Sequence, residues 1–156
     1  MVTVVQRDDT SSSQVLRLHD TDDDAIARIA FPIPQGATAG SLRLRATELP
    51  GAMLMGLRGP SGSVLHLAID ADGALRRYAL ATEQWEAVAP AGTINPFSWV
   101  DVTLRSDGVI ELDGRAIDTG PVAPASIDQM YVTSTGTVPV GVDLLIDDWA
   151  PRLADD

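Results

Sequence analysis

Residues Phe97–Ile117 read FSWVDVTLRSDGVIELDGRAI. Val100, Val102 and Leu104 alternate with Asp101, Thr103 and Arg105. Successive side chains of a strand point to opposite faces, so this spacing predicts a strand with one buried and one wet face. Asp107-Gly108 and Asp113-Gly114 then punctuate strand-like runs. Asp-Gly between such runs is a hairpin signal, because both residues tolerate the positive φ that tight hairpin turns need.

The same pattern continues in both directions. QVLRLHD sets Val15, Arg17 and His19 against Leu16 and Leu18; SLRLRATEL sets Leu42 and Leu44 against Arg43 and Arg45. SVLHLAID sets Leu65, Leu67 and Ile69 against His66, Ala68 and Asp70. Asp72-Gly73 is a further hairpin turn, and Pro50-Gly51, Gly59-Pro60 and Gly120-Pro121 are breaks. Strands recur about every 8–12 residues, the spacing of a sandwich or barrel. Only DDDAIARIA could pass for a helical turn, and it reads as well as a strand that Pro32 and Pro34 stop. The expectation is an all-β, two-sheet antiparallel sandwich of about a dozen short strands, occupying residues 1–156 as a single domain without linker or repeat.

Composition narrows the functions. The chain has 156 residues, 45% of them apolar, enough for one real core. No window approaches the ~20 apolar residues of a membrane helix. The start, MVTVVQRDDTSSSQ, lacks the basic and apolar regions of a secretory signal. There is no Cys, so disulfides and thiolate sites are excluded, and two His leave little for a His-based zinc site. Every cation is Arg and there is one Asn, a bias that fits a GC-rich genome such as that of an actinobacterium or its phage. The formal charge of −11 argues against nucleic acid and anionic membrane, and is compatible with neutral glycans, cations or basic proteins.

The order of signals resembles the concanavalin A-like (laminin G-like) jelly-roll domains. QVLRLHD, an apolar segment, Gly40 and SLRLRAT resemble the opening of such a domain; VLHLAIDADGALRRYALATEQW resembles its middle hairpin, with Trp85 closing the next stretch. FSWVDVTLRSDGVIELDGRAI resembles its run of Trp, strand, turn, strand and Asp-Gly turn, and GVDLLIDDWAP its closing strand. The likeness covers nearly the whole chain. It implies a jelly roll whose N- and C-terminal strands pair, leaving the termini close together. It also implies a domain appended to a larger exported bacterial protein or built into a phage tail. Most such domains bind glycans or proteins or space other domains; a minority are glycosidases or lyases, and some carry a structural calcium.

Catalysis finds little footing. The hydrolases of that superfamily carry a Glu-x-Asp-x-(x)-Glu strand motif. Here Glu111-Leu112-Asp113-Gly114 supplies two acids on one face and Arg115 and Ala116 follow where a third is needed. A retaining glycosidase needs carboxyls about 5–5.5 Å apart. No G-x-S-x-G elbow and no phosphate-cradling Gly-rich loop is present. For calcium, candidate ligands are Asp8 and Asp9 near the start and Asp147 and Asp148 near the end, which would meet if the terminal strands pair; backbone carbonyls would complete the six to eight oxygens. Asp20, Asp22, Asp23 and Asp24 read more simply as a solvated acidic loop. Tyr78, Trp85 and Trp99, with Arg76, Arg105 and His66, form the candidate ligand face, since exposed rings suggest a partner.

In VDLLIDDWAP, Val142–Pro151, regular alternation places Val142, Leu144, Ile146 and Asp148 on the core face. It turns Asp143, Leu145, Asp147 and Trp149 outward, so the paired carboxylates should not converge. The leading expectation is a non-catalytic module that binds a glycan or protein ligand, extracellular or in a virion, within a parent chain. A phage tail or virion structural protein among virion subunits is the second expectation, and a glycan-active enzyme the third.

Overall fold

The computed structural model describes residues 2–6, 14–20, 27–48, 53–95, 97–117, 125–134 and 142–153. Among them the chain lays down β1 (Val2–Gln6), β2 (Gln14–Asp20), β3 (Arg28–Pro32), β4 (Ala37–Glu48), β5 (Met53–Gly59) and β6 (Gly62–Ile69). It continues with β7 (Leu75–Ala79), β8 (Gln84–Ala89), β9 (Val100–Arg105), β10 (Ile110–Leu112), β11 (Arg115–Ile117), β12 (Gln129–Ser134) and β13 (Val142–Leu153). One sheet has seven strands in the order β1-β2-β13-β4-β9-β10-β11 and the other six in the order β3-β12-β5-β6-β7-β8, all antiparallel where paired. This is the expected jelly-roll sandwich.

The alternation read from the sequence builds its core. Leu42, Leu44, Val100, Val102, Leu104, Ile110, Leu144 and Ile146 point inward from the seven-stranded sheet. Met53, Met55, Leu57, Leu65, Leu67, Ile69, Met130 and Val132 meet them from the other. Each fully buried side chain of this size contributes roughly 1.5–3 kcal/mol. Asp113 and Gly114, with φ of 49° and 77°, form the mirror-image turn between β10 and β11 that Asp-Gly announces.

Two expectations about β13 are overturned. Its neighbours are β2 and β4, with β1 outside β2, so the first and last strands do not pair. Val2 lies level with Leu18 and hence Leu144, while β13 runs on to Leu153; at about 3.3 Å per residue those strand ends are roughly 30 Å apart.

The second correction concerns VDLLIDDWAP. Asp147 pairs with Arg43 and Ala150 with Ser41, so Asp148 and Trp149 together face Leu42 in a β-bulge. Asp148 takes a left-handed φ of 49°, and Asp147 Oδ1 accepts a hydrogen bond from its amide at 2.8 Å. The extra residue shifts the alternation by one. Trp149 therefore turns inward and stacks on Phe31 at 4.7 Å, instead of pointing out. Gly40 makes room for it: a Cβ there would lie 3.0 Å from the Trp149 ring. Asp147 and Asp148, expected on opposite faces, both lie on the outer side beside Arg43.

Candidate functional site

The outer face of the six-stranded sheet carries a row of rings. Tyr131 of β12 is paired with Gly56 of β5, and Gly56 with His66 of β6. Tyr78 of β7 is paired with Trp85 of β8. The ring centroids of His66 lie 5.9 Å from Tyr131, 6.4 Å from Tyr78 and 5.3 Å from Trp85, and Tyr78 lies 5.4 Å from Trp85. Such edge and tilted contacts are the favourable geometries for aromatic pairs.

Gly56 makes the row possible. A Cβ there would sit 2.5 Å from the Tyr131 hydroxyl and 2.1 Å from the Leu65 carbonyl oxygen. The phenol instead lies across the bare backbone and shares a hydrogen bond with His66 Nδ1. Tyr131 is only 4% exposed, so it supports the row, whereas Trp85 is 37% exposed and offers a platform. Burial lowers the pKa of His66, which favours the neutral ring at neutral pH. Burial raises the pKa of Tyr131, opposed by a hydrogen bond from Ser63 and the charges of Arg28 and Arg58.

Arginines frame the rings. Arg76 lies 5.3 Å from the Trp85 ring centre and is held by Asp70 in a two-pronged contact of 2.9 and 2.7 Å. Arg28 lies 4.8 Å from the Tyr131 ring centre, and its Nη2 donates to Gln129 Oε1 at 2.8 Å. Between β6 and β7, beyond the Leu67–Arg77 pair, a cleft of about 350 Å³ opens, lined by Ser63, Val64, His66, Tyr78, Leu80 and Thr82. Leu80 on its wall is 58% exposed.

The outer face of the seven-stranded sheet is different. A larger cleft of about 780 Å³ is lined by polar groups, among them Ser41, Arg43, Asp101, Thr103, Glu111 and Asp148. These groups largely satisfy one another. Arg43 pairs with Asp101 at 3.0 Å and Asp148 at 3.8 Å, and Arg105 with Asp107 at 2.6 Å and Glu111 at 3.8 Å. The hydroxyls of Ser41 and Thr103 are 3.1 Å apart. Asp113 Oδ1 accepts from the Asp101 amide at 2.9 Å, so the carboxylate next to Glu111 braces a turn.

The six residues expected to share one ligand face are therefore divided. His66, Arg76, Tyr78 and Trp85 come together; Trp99, under Arg43 at 5.5 Å, and Arg105 belong to the opposite face of the sandwich. One ligand cannot touch both groups. Parity within a strand names a face, but it does not say which sheet the strand joins. Tyr131 and Gly56 were missed. The signal available was the outward set of QMYVTS, Gln129, Tyr131 and Thr133, opposite the buried Met130 and Val132.

Of the candidate calcium ligands, Asp8 and Asp9 lie outside the described residues. Asp147 and Asp148 flank Arg43. Among the described residues no group of His, Cys, Asp or Glu is arranged to hold a metal ion.

Neither a family model nor a curated protein matches the sequence. Solved structures do. A transglycosylase, Crh5 in its apo form, is similar with a TM-score of 0.66 at 8% identity, covering 98% of this chain and 84% of that one. A sialidase is similar with a TM-score of 0.64 at 15% identity, covering 99% of this chain; the match spans 17% of the sialidase. The galectin LEC-6 of Caenorhabditis elegans is similar with a TM-score of 0.52 at 19% identity, covering 77% of this chain and 90% of the galectin. At these identities the likeness is one of fold. The chain has the concanavalin A-like jelly-roll fold.

Proposed function

We propose that this domain is a non-catalytic glycan-binding module whose site is the ring row on the outer face of the six-stranded sheet. The observation that carries this reading is the continuous contact of His66, Tyr78 and Trp85 over an open face, with Arg76 held rigid beside them by Asp70. A sugar ring presents an apolar face of C–H groups and a rim of hydroxyls. The apolar face stacks on Trp85 and Tyr78; the rim meets guanidinium N–H groups and the cleft hydroxyls of Ser63 and Thr82. Binding needs no proton transfer, and the acids nearest to a catalytic pattern, Glu111 and Asp113, lie in the other sheet. A galectin and glycan-active proteins among the structural neighbours support a sugar ligand for this fold.

The test is a glycan array with the wild type, Trp85→Ala and Trp99→Ala, each first checked by thermal melting. Trp85→Ala is expected to weaken binding about tenfold, equivalent to ~1.4 kcal/mol, and Trp99→Ala to leave it within about twofold. A wild type that binds no glycan, or equal losses from both variants, would sink the assignment.

A further inference from the structure

The chain carries 22 acids against 11 Arg, yet one patch reverses that balance. Among the described residues, Arg43, Arg76, Arg77 and Arg105 each have a carboxylate within ion-pair distance. Arg28 and Arg58 are exposed, and neither has one among the described residues. Nor do Arg45, Arg115 and Arg152, but these belong to the other sheet, where Arg45 donates to the Phe97 carbonyl oxygen and Arg152 to Ser41 Oγ. Both lie on the outer face of the six-stranded sheet. Arg28 reaches across the Tyr131 ring to Gln129, and Gln129 is the residue paired with Arg58. Ser63 is paired with Arg58 from the other side. Both guanidiniums thus lie toward the Tyr131 end of the ring row, and their charges oppose the rise that burial gives the Tyr131 pKa.

Two like charges gathered on a face are unfavourable until an anion lies between them. A guanidinium presents a planar fork of N–H donors that matches a carboxylate in two bonds. The local field, rather than the net charge, decides what binds there, because at physiological salt charges are screened beyond about 8 Å. Arg76, the other arginine beside the rings, is already engaged with Asp70.

Building on the glycan-binding reading above, we infer that the ligand is an acidic glycan, its sugar carboxylate held by Arg28 and Arg58 beside Gln129 and a neighbouring sugar stacked on Trp85. His66 stands between Tyr131 and Trp85, so the ligand spans more than one sugar. Uronic and sialic acids share this chemistry. Attraction of a polyanion to the molecule as a whole cannot mimic it, since the formal charge is −11.

The experiment measures binding to polygalacturonate, to polysialic acid and to carboxyl-reduced polygalacturonate. Proteins are the wild type, Arg28→Gln/Arg58→Gln, Arg58→Gln alone, and Arg115→Gln on the other sheet as control. The wild type is expected to bind one of the carboxylated polymers at least tenfold tighter than the reduced one. The double variant should lose that tenfold preference, Arg58→Gln part of it, and Arg115→Gln none. If the double variant does not melt like the wild type, the comparison of Arg58→Gln with Arg115→Gln decides. Equal binding of reduced and carboxylated polymer, or an unchanged preference in the Arg28/Arg58 variants, overturns the acidic-glycan inference while leaving a glycan module standing. Binding to none of the polymers overturns the acidic-glycan inference, and the glycan array then decides whether the glycan-binding reading stands.

Discussion

On the seven-stranded sheet, Arg43 sits between Asp101 and Asp148, and Arg105 between Asp107 and Glu111. On the six-stranded sheet, Arg28 lies over a tyrosine ring and Arg58 meets no carboxylate among the described residues. The same residue type is used in two ways on the two outer faces of one sandwich. On the first face Arg43, Arg105 and their acids close a local network, each exposed pair worth less than about 1 kcal/mol. Beside them Arg45 donates to the Phe97 carbonyl oxygen and Arg152 to Ser41 Oγ. On the second, rings are stacked by a missing side chain at Gly56, and Arg28 and Arg58 stand beside those rings without a carboxylate among the described residues. The larger cleft is on the first face and the better recognition chemistry on the second. Volume alone is a poor guide to where a ligand binds, because affinity comes from desolvated anchors rather than from space.

This contrast can be broken most forcefully at Trp149. If the seven-stranded sheet serves the fold, its inward ring should cost stability and not binding. Trp149→Ala removes the stack on Phe31 and should cost about 3–5 kcal/mol. For a domain of this size that is roughly 10 °C or more in Tm. Trp99→Ala, on the outer face, should cost much less. Deleting Asp148 leaves Asp147 opposite Arg43 and Trp149 opposite Leu42, so the deletion should keep the ring inside and cost far less than Trp149→Ala. Urea denaturation of the three variants is the measurement. Equal costs for Trp149→Ala and Trp99→Ala would mean that the bulge does not divide the two faces as described.

A second test acts on the six-stranded sheet. Gly56→Ala places a methyl where the Tyr131 hydroxyl and the Leu65 carbonyl lie. Overpacking of this kind costs about 1–3 kcal/mol, and here it should also lift Tyr131 off the backbone. Stability and glycan affinity should fall together, unlike Trp149→Ala, where the folded fraction should bind normally. Unchanged affinity in a destabilised Gly56→Ala would show that the ring row is only packing.

The period-2 pattern exposed the sandwich, the turns and nearly all of the core, because alternation is a local property of each strand. It failed at VDLLIDDWAP because a bulge is decided by the partner strand: Trp149 gains Phe31 by turning in, and a tolerant Asp at position 148 absorbs the left-handed φ. The ring row was half legible. His66, Tyr78 and Trp85 follow one another along a chain folded in adjacent strands, so parity and proximity agreed. Tyr131 comes to them through a pairing between strands far apart in sequence, β12 with β5, which no local pattern reports. Trp99 and Arg105 were misplaced for the same reason, since strand parity names a face but not a sheet.

The smallest expected effect is one of pH, and it separates stability from ligand binding by sign. Burial lowers the pKa of His66 below the ordinary value near 6.5, while the unfolded chain keeps that value. Between the two, the unfolded chain binds more protons, so this contribution to stability is full above about pH 6.5 and fades as pH falls through that window. The ring is only partly buried, so the slope should be shallow, and His66→Gln should remove it. Denaturation midpoints at closely spaced pH values would show this; an identical slope in His66→Gln would assign the pH dependence to other groups. A carboxylated glycan on Arg28 and Arg58 would respond the other way. A proton on His66 adds positive charge between the guanidinium patch and Trp85, so affinity for a carboxylated polymer should rise as stability falls, down to the pH at which the sugar acid itself protonates. Opposite trends from one imidazole would tie the ring row to the ligand. Parallel trends would leave His66 a packing residue of the six-stranded sheet.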